Sequence, residues 1–171
     1  MANSVSAVYA LTVSATETLD TAVNGNEAIG SGTSATLLHN GFNISGTLHA
    51  TSTVPATTVC AFTQALTGGT ATIDLCALPG TNGNTASLDG LKVQLMMIKA
   101  PAANANTMAI GIHGTEGFPI FGASNEIDLV AGQQVLLFGN DASADVASDS
   151  ADQLLMTGTG TQELDIIIVA G

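Results

Sequence analysis

The 171-residue sequence predicts an all-β fold, a β-sandwich or barrel of about eight or nine short strands. Short apolar segments alternate with clusters of Gly, Asn, Ser and Thr, as they do where strands alternate with turns. No long stretch has the apolar period of an amphipathic helix, and no fixed repeat indicates a solenoid. The length favours a single domain over residues 1–171.

The first strand is predicted close to the N-terminus. Apolar and small or polar residues alternate there, with the apolar set formed by Val5, Ala7, Tyr9, Leu11 and Val13. This period of two is typical of a half-buried strand. Residues 1–15 are therefore expected to form an edge strand or an N-terminal arm. Residues 24–43 are rich in Gly, Ser, Thr and Asn and predict a long loop or a weak edge strand.

A hairpin is predicted from residues 59–66 and 71–78, which flank a Thr-Gly-Gly-Thr turn. Matching the apolar faces of the two strands sets Cys60 opposite Ala77. Cys60 then points to the core and Cys76 to the other face. Side chains on opposite faces of a hairpin cannot form a disulfide without distortion. The sequence therefore predicts two free thiols, with no redox or zinc role.

Apolar residues between turn signals predict the middle strands and short segments, at 91–97, 108–112, 118–121, 127–129 and 135–138. Pro101 ends the first of them. Residues 154–156 and 164–169 predict a closing hairpin around Gly158-Thr159-Gly160. Residues 166–169 are apolar at every position, which indicates a central strand or one covered by a neighbouring subunit.

The charge composition excludes several classes of partner. The chain has no Arg, two lysines (Lys92 and Lys99) and 14 acidic residues, for a net charge of −12. Nucleic acids, anionic lipids and anionic substrates all require basic side chains. Only 9% of the residues are charged, against about 25% in a typical soluble domain. Such a surface suits permanent contact with neighbouring subunits.

No catalytic, cofactor-binding or metal-binding residue is predicted, and the chain is not expected to be an enzyme. No G-x-S-x-G motif occurs. His39, His49 and His113 lack the spacing of a metal motif and are interpreted as isolated imidazoles. A metal site assembled by the fold or at a subunit axis stays open as an alternative.

Residues 141–152 carry the densest charge in the chain, through Asp141, Asp145, Asp149 and Asp152. Loop carboxylates can hold Ca²⁺, but the spacings of four, four and three do not match an EF-hand. A solvated loop is predicted, with a calcium-stabilised domain as the alternative.

Targeting signals are not evident in the sequence. No apolar run approaches the roughly 18 residues of a membrane span. The start, Met1-Ala2-Asn3-Ser4, lacks the basic and apolar regions of a secretory signal. Either the mature form begins here or the chain is made and assembled in a cytoplasm.

The sequence resembles small structural proteins of tailed bacteriophage particles, notably head decoration (cement) proteins. Four segments carry the resemblance, namely residues 71–75 (ATIDL), 88–93 (LDGLKV), 127–135 (IDLVAGQQV) and 164–169 (LDIIIV). It implies a jelly-roll-like sandwich on the outer surface of a virion, in contact with a major capsid protein shell. Such proteins commonly form trimers. The alternatives are a tail or fibre role, or an extracellular glycan- or surface-binding module.

Overall fold

A computed structural model describes residues 5–20, 34–80, 83–122, 125–139 and 143–171. The regular structure of these residues is β-strand, which confirms the predicted all-β fold. The twelve strands are β1 (Ser6–Asp20), β2 (Ser34–His49), β3 (Thr58–Ala65), β4 (Thr70–Asp74), β5 (Leu78–Pro79), β6 (Thr85–Ala86), β7 (Val93–Lys99), β8 (Met108–Ile112), β9 (Glu126–Leu129), β10 (Gln134–Phe138), β11 (Gln153–Thr157) and β12 (Glu163–Ala170).

Eight strands form two four-stranded antiparallel sheets. The first sheet has the order β10-β7-β12-β3 and the second sheet has the order β4-β11-β8-β9. The pairing is nested along the chain. Within these eight strands the first pairs with the last (β3–β12), the second with the seventh (β4–β11), the third with the sixth (β7–β10) and the fourth with the fifth (β8–β9).

The hydrophobic core lies between the two sheets, which makes the eight strands a β-sandwich. The first sheet contributes Met96, Ile98, Ile166 and Ile168, and the second sheet contributes Ile73, Ile110, Leu154 and Met156. Each of these side chains is at most 3% exposed. Burial of this apolar surface is the main stabilising contribution. The 118–121 segment is not a strand, but Phe118 is buried in the same core.

Both predicted hairpins are wrong. β3 and β4 lie in different sheets, and so do β11 and β12. Their apolar faces meet across the core, whereas hairpin strands would hydrogen-bond side by side. The Thr-Gly-Gly-Thr turn carries the chain from one sheet to the other, and a single bridge between Thr67 and Thr70 closes it.

The position of the last strand, β12, within its sheet agrees with the sequence pattern. The apolar run within β12 predicts a central strand or one covered by a neighbouring subunit, and β12 is central in its sheet, with β3 on one side and β7 on the other. About eight or nine strands were predicted for the chain, and the structure has twelve among its described residues, of which eight form the sandwich. The remaining strands form two two-stranded sheets, β1-β2 and β5-β6.

The chain divides into two compact units, one of Met1–Ala7 with Leu48–Gly171 and the other of Val8–Thr47. The second unit holds most of the β1-β2 ribbon. Burial alternates along the start of β1 as predicted, with Tyr9 half-buried. The alternation stops at Leu11, which is 46% exposed. The single domain over residues 1–171 stays a prediction.

The predicted arm at 1–15 overlaps β1, and the predicted loop or weak edge strand at 24–43 overlaps β2 from Ser34 onward. Residues 1–4 and 24–33 of these two segments lie outside the described residues. Among the residues that the structure describes, no helix is long and apolar enough to cross a membrane.

Candidate functional site

The outer face of the first sheet is mostly apolar. Alternate residues of its strands point away from the core, and the strand register aligns them in rows. The middle row is Leu136, Met97, Ile167 and Ala61. The row beside it is Phe138, Leu95, Val169 and Val59. We call these eight residues the apolar face.

The apolar face is open along its middle row and closed at one end. Ala61 is exposed, and the other three residues of that row are half-buried. Leu95 and Val169 are buried, at 7% and 2% exposure. The chain before β3 is tied to this end of the sheet, since Gln94 Nε2 donates to the carbonyl oxygen of Val54 at 2.9 Å.

A polar row borders the open side of the apolar face. It runs Gln134, Lys99, Asp165 and Thr63 across the four strands. Thr63 Oγ1 donates to Asp165 Oδ1 at 2.8 Å. This row holds one cation and one anion, and the apolar face holds no charged residue.

The outer face of the second sheet has the opposite character. Its rows contain Thr70, Thr157, Ala109 and Asp128, then Thr72, Leu155, Gly111 and Glu126, then Asp74 and Gln153. Three of these residues are carboxylates and none is basic. We call this surface the acidic face. The two sides of the sandwich therefore present different surfaces: the first has two rows without charge beside a row with one cation and one anion, and the second has three carboxylates and no cation.

Two depressions in the surface are large enough to consider as ligand sites. One, of about 260 Å³, lies on the acidic face beside Gly111, Glu126 and Leu155. Another, of about 400 Å³, lies between residues 103–106 and 159–163. Ligand pockets are usually apolar with a few convergent polar groups. The second depression is lined mainly by amides and hydroxyls, several of which already bond to one another.

The structure describes the side chains of two of the three histidines, His49 and His113. His49 Nδ1 contacts the hydroxyl of Thr51 at 2.7 Å within an exposed local turn. His113 is half-buried, and its Nδ1 has no hydrogen-bond partner among the described residues. His39 lies in β2, and its side chain is outside what the structure describes.

Both cysteines are free thiols, as predicted. The hairpin on which that prediction was based does not form, because β3 and β4 lie in different sheets. Cys60 lies in the core at 0% exposure and Cys76 is half-buried. Burial raises the pKa of the Cys60 thiol. Burial also raises the pKa of Cys76. A hydrogen bond with Ser87 opposes that shift, and the negative charges of Asp152, Asp74 and Asp89 add to it.

The acidic segment is only partly a solvated loop. Asp145 forms an ion pair with Lys92 at 3.2 Å and is largely exposed. Asp152 contradicts the expectation, because it is buried at 4% exposure. Asp141 lies outside the described residues.

One group of possible metal ligands combines parts of the chain that are distant in sequence. Asp74, Cys76 and Asp152 each offer a donor atom, and these atoms lie within 4.8 Å of one another. The register that pairs Gln153 with Asp74 brings Asp152 to the turn after β4. Sequence analysis missed this cluster because it expected Asp152 in solvent and Cys76 in a hairpin.

Comparison with known proteins gives no relative. No protein-family model matches the chain, and no curated protein or solved structure does so either.

The sequence contains a signal for the apolar face. Residues 166–169 and 93–98 are apolar on both faces of their strands, apart from Gln94. Only one of those faces can point into the core of a two-layer sandwich. The other had to be outside.

Proposed function

We propose that this chain is a structural subunit of a multi-copy particle, and specifically a decoration protein on the outside of a tailed-phage head. One observation carries the proposal. The chain has a net charge of −12, yet two neighbouring rows on the outer face of the first sheet contain no charged residue. A neighbouring copy of the same chain is the occupant that we assign to this face, in a homo-oligomer for which a trimer is favoured.

Charge supports a second copy as the occupant. Two chains of the same negative charge repel each other, and the repulsion is weakest where neither surface carries an anion. The middle row of the apolar face offers Leu, Met, Ile and Ala side chains in a flat array. Obligate interfaces between copies are enriched in such apolar side chains and depleted of charge. The acidic face remains in water and keeps the particle soluble.

The fold is compatible with this role. The nested order of the eight strands supports the jelly-roll assignment, an architecture of two four-stranded sheets that occurs in viral capsid proteins and in lectins. Because one fold serves many functions, the fold alone does not choose between them. The choice rests on the apolar face and on the low charge of the remaining surface.

The mass of the purified chain in solution tests the assembly. We expect light scattering after size exclusion to give a multiple of the 17.0 kDa subunit mass. The proposal would be overturned if the chain remained a monomer at every concentration up to its local concentration on a particle surface. A monomer with saturable binding on a glycan array would favour the glycan-binding alternative.

The particle itself tests the specific role. Quantitative mass spectrometry of purified phage from a host that makes this chain is expected to find it in many copies per head. Absence of the chain from the head fractions, or its presence in the tail fractions alone, would contradict decoration of the capsid.

A further inference from the structure

The turn after β4 and the residue before β11 bring two carboxylates and a thiol together in one cluster at the second sheet. Asp74 is the last residue of β4 and Cys76 follows it by two positions. The N–H of Cys76 donates to Asp74 Oδ1 at 2.8 Å, and the N–H of Leu75 donates to the carbonyl oxygen of Asp152 at 2.8 Å. The first bond orients the Asp74 carboxylate, and the second ties the backbone of the turn to the backbone of Asp152.

One buried carboxylate oxygen in this cluster has no hydrogen-bond partner among the described residues. Asp152 is 4% exposed, and its Oδ2 accepts the N–H of Asp149 at 3.1 Å. Its Oδ1 is buried and has no hydrogen-bond partner within the described part of the chain. A buried and unsatisfied carboxylate oxygen is strongly unfavourable, and proteins usually satisfy it with a donor or a cation.

Neither lysine of the chain is a hydrogen-bond partner of this oxygen. It contains two lysines and no arginine. Lys92 pairs with Asp145 and also donates to the carbonyl oxygen of Ser143 at 3.0 Å. Lys99 lies on β7 in the other sheet, where its register partners are Gln134 and Asp165. A cation from outside the chain would supply the partner that this oxygen lacks among the described residues.

We propose that Asp74, Cys76 and Asp152 bind a divalent cation, with Zn²⁺ as the preferred ion. Thiolate and carboxylate ligands together suit Zn²⁺, whereas Ca²⁺ takes six to eight oxygen ligands. On binding, the Cys76 S–H bond breaks, a metal–sulfur bond forms and the proton passes to solvent. The metal keeps its +2 oxidation state, and water completes its coordination shell.

The bound cation would join three segments of the second sheet. It would fix the end of β4 and the turn after it to the start of β11, and it would satisfy the orphaned oxygen of Asp152. This inference does not depend on the proposed particle role, because the cluster lies on the second sheet and the apolar face lies on the first.

The test is metal binding by the full chain after reduction and removal of metal with EDTA. We expect one Zn²⁺ per chain by isothermal titration. We also expect a thiolate-to-metal charge-transfer band when Co²⁺ is used in its place. Cys76→Ala should abolish that band. It should also weaken Zn²⁺ binding by at least about tenfold, because loss of a residue that only hydrogen-bonds to a metal ligand already weakens metal binding by about 10–100-fold.

Cys60→Ala is the matched control and should keep both the band and the stoichiometry. Asp152→Asn provides a second variant, and circular dichroism confirms that each variant is folded. No binding by the wild-type chain would overturn the proposal. So would a charge-transfer band that survives in folded Cys76→Ala.

Discussion

At the scale of single residues, neighbours on one strand have different roles. On β12, Ile166 and Ile168 are 1% exposed in the core, whereas Ile167 between them lies on the apolar face. The same alternation separates Met96 and Ile98 from Met97 on β7.

The pair Ile166→Ala and Ile167→Ala tests this division. Ile166→Ala should lower the free energy of unfolding by about 2–5 kcal/mol, because it leaves a cavity in a packed core. Ile167→Ala should cost less stability and should instead weaken association between copies. Urea unfolding at one fixed protein concentration measures the difference. Equal losses in the two variants would mean that both faces of β12 are buried within one subunit.

The thiols provide a second test at this scale. In metal-free protein, a thiol reagent should modify Cys76 before Cys60, because Cys76 is half-buried and Cys60 is fully buried. Both reactions should be slower than that of an exposed cysteine, since burial raises both pKa values and leaves less thiolate at neutral pH. Titration after unfolding should give two thiols per chain. A faster reaction at Cys60 would contradict the packing of β3.

At the scale of elements, the turn after β3 leads the chain from the first sheet to the second. Gly68 and Gly69 have φ angles of 65° and 92° in the turn that leads from β3 to β4. Positive φ is strained for most residues other than glycine, so this turn favours its Gly-Gly pair. The short bridge between Thr67 and Thr70 directs the chain into the opposite sheet.

Gly68→Ala is expected to lower stability by about 1–2 kcal/mol through backbone strain alone. A Cβ at this position would meet no atom within 4 Å. Gly114→Ala is the matched control, because its Cβ is equally unobstructed and its φ is not positive. It should change stability by less than about 0.5 kcal/mol. Thermal unfolding compares them, and equal values would argue against the left-handed turn.

Sequence patterns predicted where most sandwich strands lie, but they did not predict how those strands pair. Alternation and turn residues identified β3, β7, β8 and β12, since strand formation depends on local burial. A Gly-rich turn can return within one sheet or cross to the facing sheet, and the local sequence is the same in both cases. The cluster at Asp74, Cys76 and Asp152 was unpredictable for this reason, because it depends on the register of β4 with β11.

At the scale of the whole molecule, charge is distributed unevenly between the two sheets. The acidic face carries three carboxylates, and the apolar face carries no charge. An assembly held by the apolar face should depend little on ionic strength, because salt screens charges and does not weaken apolar burial. The oligomer mass should therefore be the same in about 0.1 M and 1 M salt. Dissociation at the higher concentration would indicate an interface held by ion pairs.

The role of the apolar face in assembly is the central claim, and one pair of substitutions tests it most directly. Ala61 is exposed in the middle row of that face, and Ala102 is exposed in the loop after β7. Ala61→Glu and Ala102→Glu add the same charge at these two sites, and light scattering after size exclusion measures the mass of each. We expect Ala61→Glu to be a folded monomer and Ala102→Glu to keep the wild-type oligomer. An Ala61→Glu protein with the full oligomeric mass would contradict the claim.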